Sequence, residues 1–323
     1  MKTLLIWVLT ILGGCPLFAA EPILAFLYSG PIGDYGWTYS HERARQELPY
    51  DSFYVENVNE SNIVYVLPLM QRLGANMIFG TSWEFYDALK ADAAQHPEIT
   101  YFVARIEGEP SENMFLYLGR MYQARYLAGL VAGAMTQTNR IGYVAAFPIP
   151  EVVRGINAFA RGVREVNPEA KIIVRWLFTW YSPPDEIEAA YALIAEGADV
   201  LIQHCQSPSV QQISERAGVY AIGYASDMRA FAPHANLTSC IWNWTPLYAL
   251  LIEKVLSGAS GEVVWAGLET GVVGLAPLAD CVPKDIRALI QHKIKTGEFE
   301  PFPELSDSEL LEMQEFEDNV IAP

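Results

Sequence analysis

Short apolar runs alternate along the chain with longer segments whose apolar positions recur at helical spacing, and each pattern predicts one kind of element. Ile23–Tyr28, Asn76–Phe79, Tyr101–Ile106, Arg140–Ala146, Ile172–Phe178, Val200–His204, Tyr220–Tyr224 and Leu237–Ile241 predict strands. Trp37–Leu48, Ile63–Leu73, Glu84–Gln95, Arg120–Met135, Val152–Val166, Asp185–Glu196 and Leu247–Leu256 predict helices. Thr81-Ser82-Trp83-Glu84 has the pattern of a capping box, Ser182-Pro183-Pro184 opens a helix, and Gly197 and Gly258 close two others. Strands separated by helices pair in parallel through right-handed crossovers, so the fold class is α/β. A weak internal repeat sets Leu73–Ser82 beside Glu196–His204: a helix ends in glycine, a strand follows, and a polar loop comes next. Two similar open sheets with their strand ends at a common seam make a closable cleft. Gly129 and Gly133, one helical turn apart, predict a close helix–helix approach.

The first strand runs into Gly30-Pro31-Ile32-Gly33-Asp34-Tyr35-Gly36-Trp37-Thr38-Tyr39-Ser40-His41. Glycines and a proline at this density make a turn that brings backbone close to something. The end of a parallel strand is also where open α/β sheets bind small ligands. No Gly-Lys-Ser/Thr and no GxGxxG accompanies it, so aromatics stand where a phosphate loop would carry glycines. Trp37 then serves either as a stacking surface for a flat ring or as a plug in the core.

Composition narrows the setting. The chain has 323 residues, 51% hydrophobic and 18% charged, which fits a packed globular protein of about two domains. Residues 1–20 read as a signal peptide, with Lys2 before an apolar stretch. Two processing sites stay open: a lipobox at Leu12-Gly13-Gly14-Cys15, giving a lipoprotein anchored at Cys15, or cleavage after Ala20, giving a periplasmic protein. Without the leader the formal charge is 20 − 38 = −18, which argues against nucleic acid and anionic membrane surfaces as partners. Cys205, Cys240 and Cys281 fit no zinc spacing, and either Cys240 pairs with Cys281 or all three are free. His41 and His204 have no partner at metal-ligand spacing, so no metal and no cofactor are expected.

Longer blocks carry a resemblance. Gly33–Tyr39, Phe79–Ser82, Gly119–Tyr122 with Arg125–Gly129, Thr138–Phe159, Asn167-Pro168 and Trp242-Asn243-Trp244 together resemble the basic membrane protein family of bacterial ABC-transporter substrate-binding proteins, in its purine-binding (PnrA-like) branch. The resemblance runs from about Leu24 to Gly274. It implies a type I periplasmic-binding-protein fold, two Rossmann-like lobes joined by a three-crossing hinge, and no catalysis. With the repeat it gives lobe 1 as 22–115 and 243–270, and lobe 2 as 118–240 and 271–323. The implied partners are a small-molecule purine and an ABC transporter permease, and the implied state is a monomer.

Nucleoside receptors of the wider family hold the base on an aromatic at the Trp37 position and the ribose with an acid and a lysine. Those last positions here are Ala225 and Trp242, so the resemblance implies a free nucleobase, with a nucleoside receptor or a ligand sensor as alternatives. The branch usually has Asp at the positions of Ser182, Gln206 and Ala225; an amide at Gln206 offers donors as well as an acceptor, which would change the preferred purine edge. Asp34, Thr38 and Tyr39 are expected to supply edge hydrogen bonds, and Ser82 and Trp83 follow the second strand of the first lobe at the same seam. Glu151, with Arg154 beside it, either contacts the ligand or latches the lobes. Trp180 is a candidate second face of a ring sandwich, and Asp227 a seam contact or a cap. The acidic segment from Phe299 onward reads as a solvated helix face rather than a docking surface. An enzyme acting at Asp34, His204 and Asp227 is the rival class, without a nucleophile elbow, zincin helix or P-loop to support it.

Overall fold

The computed structural model describes residues 21–323. The expected signal peptide, with Cys15 and Ala20, lies outside the described residues. The chain begins β1 (Ile23–Leu27), α1 (Trp37–Glu47), β2 (Asp51–Val55), α2 (Ile63–Arg72), β3 (Met77–Gly80), α3 (Tyr86–Ala93), β4 (Thr100–Ala104) and β5 (Met114–Gly119). It continues α4 (Met121–Met135), β6 (Arg140–Ala145), α5 (Pro150–Val166), β7 (Lys171–Trp176), α6 (Pro183–Ala195), β8 (Val200–His204), α7 (Ser209–Ala217), β9 (Tyr220–Ala225) and β10 (Asn236–Trp242). The remainder is α8 (Trp244–Leu256), β11 (Val263–Ala266), β12 (Val273–Leu275), α9 (Lys284–Thr296), α10 (Asp307–Leu311) and β13 (Val320–Ile321).

The strands form a six-stranded sheet in the order β11-β5-β4-β3-β1-β2 and a seven-stranded sheet in the order β12-β10-β9-β8-β6-β7-β13. This is a type I periplasmic-binding fold. The chain passes between the sheets at Gly119–Met121, at Trp242–Trp244 and between Ala266 and Val273. The first sheet therefore keeps the chain to Gly119, past the expected edge at 115, because Met114–Leu118 is a buried strand beside β4.

Both sheets are covered on both faces, and their central strands are buried end to end, as in β1 from Leu24 to Leu27. A ladder of rings crosses the first sheet: Phe26 stacks on Phe79 at 4.7 Å and Phe79 on Phe102 at 4.2 Å. Such pairs add about 0.5–1.5 kcal/mol each beyond their buried area. In the second lobe α4 and α5 pack backbone to backbone. A Cβ on Gly129 would lie 2.2 Å from the Phe159 carbonyl, and one on Gly162 2.1 Å from the Tyr126 carbonyl. The expected close approach at Gly129 is present.

Several expectations need correction. Strands β2, β5, β11, β12 and β13 and helices α7, α9 and α10 did not appear in the periodicity. Of the strands other than β5, β11, β12 and β13 are pieces of two to four residues at the sheet margins, and β2 is a partly exposed edge strand, so none carries a long apolar run. The capping box at Thr81–Glu84 does not form. The Thr81 hydroxyl donates to the Leu27 carbonyl at 2.8 Å instead, a 3-10 turn occupies Trp83–Phe85, and α3 starts only at Tyr86. Cys205, Cys240 and Cys281 are all free thiols, so the Cys240–Cys281 pairing does not occur.

The acidic C-terminal segment is not a solvated helix face. Phe299, Phe302 and Leu310 are buried, and carboxylates of the segment meet arginines of α5 and the first crossing. Arg120 donates to both oxygens of Asp307 at 2.8 Å, while Arg161 reaches Glu317 at 2.6 Å and Glu304 at 2.5 Å. The segment ends by adding β13 to the edge of β7. Negative residues are concentrated here because the surface they cover is basic.

Candidate functional site

The seam is set by the loop between β1 and α1. Tyr35 adopts a left-handed backbone (φ 58°), which a non-glycine residue holds only under local constraint. Asp34 supplies that constraint: its buried carboxylate accepts from the backbone N–H of Gly36 (2.8 Å), Thr38 (2.9 Å) and Tyr39 (3.0 Å). It satisfies the donors at the start of α1, which otherwise lack partners. Burial pushes the Asp34 carboxyl above its ordinary range, and the three N–H donors pull against that. Asp34 thus caps its own turn through both oxygens. Thr38 is buried in the same turn, and Tyr39 leans outward on Tyr35 with ring centroids 5.6 Å apart.

Trp37 stands in the seam half-buried. Its Nε1 donates to the Thr81 carbonyl at 2.7 Å, beside Ser82 and the exposed Trp83. Three rings meet it edge to face: His41 at 4.6 Å, Trp244 at 5.2 Å and Trp242 at 5.5 Å. Trp242 is stacked on Trp244 at 4.5 Å and donates from Nε1 to the Tyr224 hydroxyl at 3.2 Å. Trp244 donates to Ser40 Oγ at 3.0 Å and stacks on His41. The indole of Trp37 is therefore pinned by a hydrogen bond and by rings already fixed to α1 and the second crossing.

The second lobe closes on this turn. A Cβ on Gly36 would lie 2.6 Å from the Gln206 carbonyl, so only a glycine permits the approach. Ser226 Oγ donates to the Tyr35 carbonyl at 2.5 Å, and the Tyr35 and Phe231 rings meet at 5.0 Å. Gln206 in turn donates from its backbone to the Trp180 carbonyl at 3.0 Å. Trp180 lies between Phe147 at 5.4 Å and His204 at 6.0 Å, at the strand ends of the second sheet.

Two spaces adjoin the seam. A groove of about 320 Å³ lies on the outer side of α1, between Tyr39, Arg43, Ala225, Asp227, Trp242 and Asn243. Asp227 is exposed there, and its carboxylate accepts from the Arg229 backbone N–H at 3.1 Å, while Met228 holds the cap position of the turn that follows. A cavity of about 10 Å³ lies on the other side, below the first crossing, lined by Arg125, Glu151, Arg154, Gly155 and His204 among others. Burial pushes the Glu151 carboxyl up; the Arg154 charge opposes this, and Glu107 adds to it. Arg154 donates to the Leu310 carbonyl at 2.5 Å, which ties it to the C-terminal segment.

The structure therefore gathers Trp37, Ser82, Trp83, Gln206, Trp180 and Trp242 along one seam. It sets Tyr39 and Asp227 on the outer groove and Glu151 on the small cavity. Sequence reasoning missed Trp244 and His41 as the supports of Trp37, and Arg125 as a buried cation. Arg125 had a visible signal, a lone charge on an otherwise apolar helix. Among the described residues no cluster of three or more metal-capable side chains occurs, and no helix is long and apolar enough to cross a membrane.

Comparison with known proteins agrees with this architecture. The family described as "ABC transporter substrate-binding protein PnrA-like" matches residues 22–300. A protein of Haloferax volcanii named as a putative ABC transporter glucose-binding protein is 41% identical over 281 residues, 85% of this chain and 72% of its own. A purine-binding protein of Brucella abortus is 35% identical over 302 residues, 90% of this chain and 86% of its own. Among solved structures, a solute-binding protein of an ABC transporter system from Conexibacter woesei superposes with a TM-score of 0.72 at 21% identity. It covers 86% of this chain and 97% of its own.

Proposed function

The chain belongs to the PnrA-like family of ABC transporter substrate-binding proteins, and from that premise we propose that it captures a free purine nucleobase for import. Proteins of this family bind a small molecule outside the cytoplasm and deliver it to a permease. The observation that carries the nucleobase reading is the pinned indole of Trp37 at the point where the lobes meet. A flat ring stacked on a surface already fixed loses little ordering entropy on binding. Trp242, stacked on Trp244 beside it, fills the position where a sugar-binding lysine stands in nucleoside receptors. Ser82, Trp83, Trp180 and Gln206 are the proposed neighbours of the ring, and Gln206 the group that reads its edge. The cleft binds and releases without breaking bonds. Export to the periplasm, free or as a lipoprotein, belongs to the same proposal.

A second reading, a purine nucleoside, has one observation in its favour: the groove of about 320 Å³ reaches Ala225 and Trp242 and has room for a sugar. Calorimetric titration with adenine, hypoxanthine, guanine, xanthine, their ribosides and glucose separates the readings. The nucleobase proposal expects at least one free base to bind more tightly than its riboside and than glucose. A riboside that binds more tightly than every base transfers the assignment to the second reading, and glucose as the tightest ligand removes both.

A further inference from the structure

We propose that the small cavity below the first crossing is a halide site, in which a chloride-sized anion compensates the buried guanidinium of Arg125. Arg125 is fully buried on α4 and makes no ion pair among the described residues. Its Nη1 donates to the Gln203 carbonyl at 2.7 Å, while Nε and Nη2 have no partner. The Tyr143 hydroxyl and both ring nitrogens of His204 are likewise buried and without a partner. The guanidinium lies over the Tyr224 ring at 4.4 Å, but a ring face leaves Nε and Nη2 without an acceptor, and unpartnered buried donors are rare.

Side chains of the three residues approach one position, Arg125 through its aliphatic stem. A Cβ built on Gly155 would lie 3.8 Å from Arg125 Cγ, 4.0 Å from His204 Nδ1 and 4.0 Å from the Tyr143 hydroxyl. The glycine leaves room there, and the cavity of about 10 Å³ admits a single atom-sized occupant. Two guanidinium groups, Arg125 and Arg154, line it against one carboxylate, Glu151. Burial, reinforced by the Arg125 charge, holds His204 neutral, so the imidazole offers one N–H. The surroundings thus provide several donors, excess positive charge and monatomic space, which is the chemistry of a halide pocket. Gly119 and Met121 of the first crossing also line the cavity, so an occupant touches the hinge.

The test compares thermal melting of the full protein in sodium chloride and in sodium gluconate at equal ionic strength. The wild-type protein is expected to melt about 2 °C or more higher in chloride. Gly155→Ala meets no neighbour closer than 3.8 Å and so should fold, while its methyl group takes the space of the ion. Its melting temperature is expected to be the same in both salts. A crystal grown with bromide should show an anomalous peak between Arg125, His204 and Tyr143. Equal wild-type melting in the two salts, a chloride shift that survives in Gly155→Ala, or a water alone in that position overturns the proposal.

Discussion

The two lobes are built on one plan and meet the seam with different chemistry. Their core strand orders correspond, β4-β3-β1-β2 in the first and β9-β8-β6-β7 in the second. At the seam the first lobe presents Trp37 in a cage of rings, packed and held by few polar contacts. The second presents backbone at Gln206 and, behind it, buried polar groups around Arg125 and His204. The outer edges differ too: β2 is an open margin, whereas β7 is covered by β13 and the C-terminal segment. The same topology can therefore supply a stacking surface on one side and a charged, braced jaw on the other. What distinguishes the lobes is the loops after the strands, where function in such sheets resides.

The sharpest way to break that comparison is Gly36→Ala, since the added methyl group would press on the Gln206 backbone at 2.6 Å without disturbing either core. Overpacking of this kind costs about 1–3 kcal/mol, so purine affinity should fall by roughly 5- to 150-fold. Titration of the variant checks this, and unchanged affinity would mean that ligand binding does not need the two loops to touch.

Trp37→Ala tests the aromatic lobe directly. Stacking a base contributes about 1–3 kcal/mol, so all accepted purines should weaken by roughly tenfold or more. Loss of folding instead of affinity, seen by circular dichroism, would make Trp37 a core plug. Asp34→Ala separates the turn from the ring: removing the acceptor of three backbone N–H groups should cost about 0.5–2 kcal/mol of stability. Denaturant unfolding measures that loss, and affinity for the purine should fall less than in Trp37→Ala.

The smallest expected effect concerns the brace on the second lobe. The two hydrogen bonds from Arg120 hold Asp307 below the usual carboxylate range. Burial pushes Glu317 up, but hydrogen bonds and charge from Arg161 and Arg164 more than reverse it. Both folded values lie below the unfolded ones, so the stabilisation is complete above about pH 5, beyond the unfolded values, and is lost as pH falls through the folded values. Arg161→Met should cost about 1 kcal/mol or less at pH 7, since the pairs are partly exposed. The difference from wild type, followed by thermal melting, should shrink toward zero below about pH 4. A difference that persists in acid would assign the role of Arg161 to its packing on Phe302, 4.4 Å from the ring.

The sequence by itself determined the α/β class, the central strands and the long helices other than α9. Buried parallel strands must be continuously apolar, and amphipathic helices must repeat on one face, so both leave periodic marks. It also marked Gly36 and Trp37 as a turn made for close approach, and Gly129 as a helix contact. It could not decide what Asp34 does with its oxygens, because a carboxylate that caps its own turn and one that awaits a ligand share the same residues. Only the tertiary structure set Trp244 beside Trp37, since that ring is far away in the chain and arrives through the second crossing, whereas His41 lies one turn along α1 from Trp37. It likewise turned the acidic segment from an expected solvated face into a brace, because Arg120, Arg161 and Arg164 face it only after α4 and α5 have packed. Charge and ring contacts between distant segments carry no period, and the fold alone brings them together.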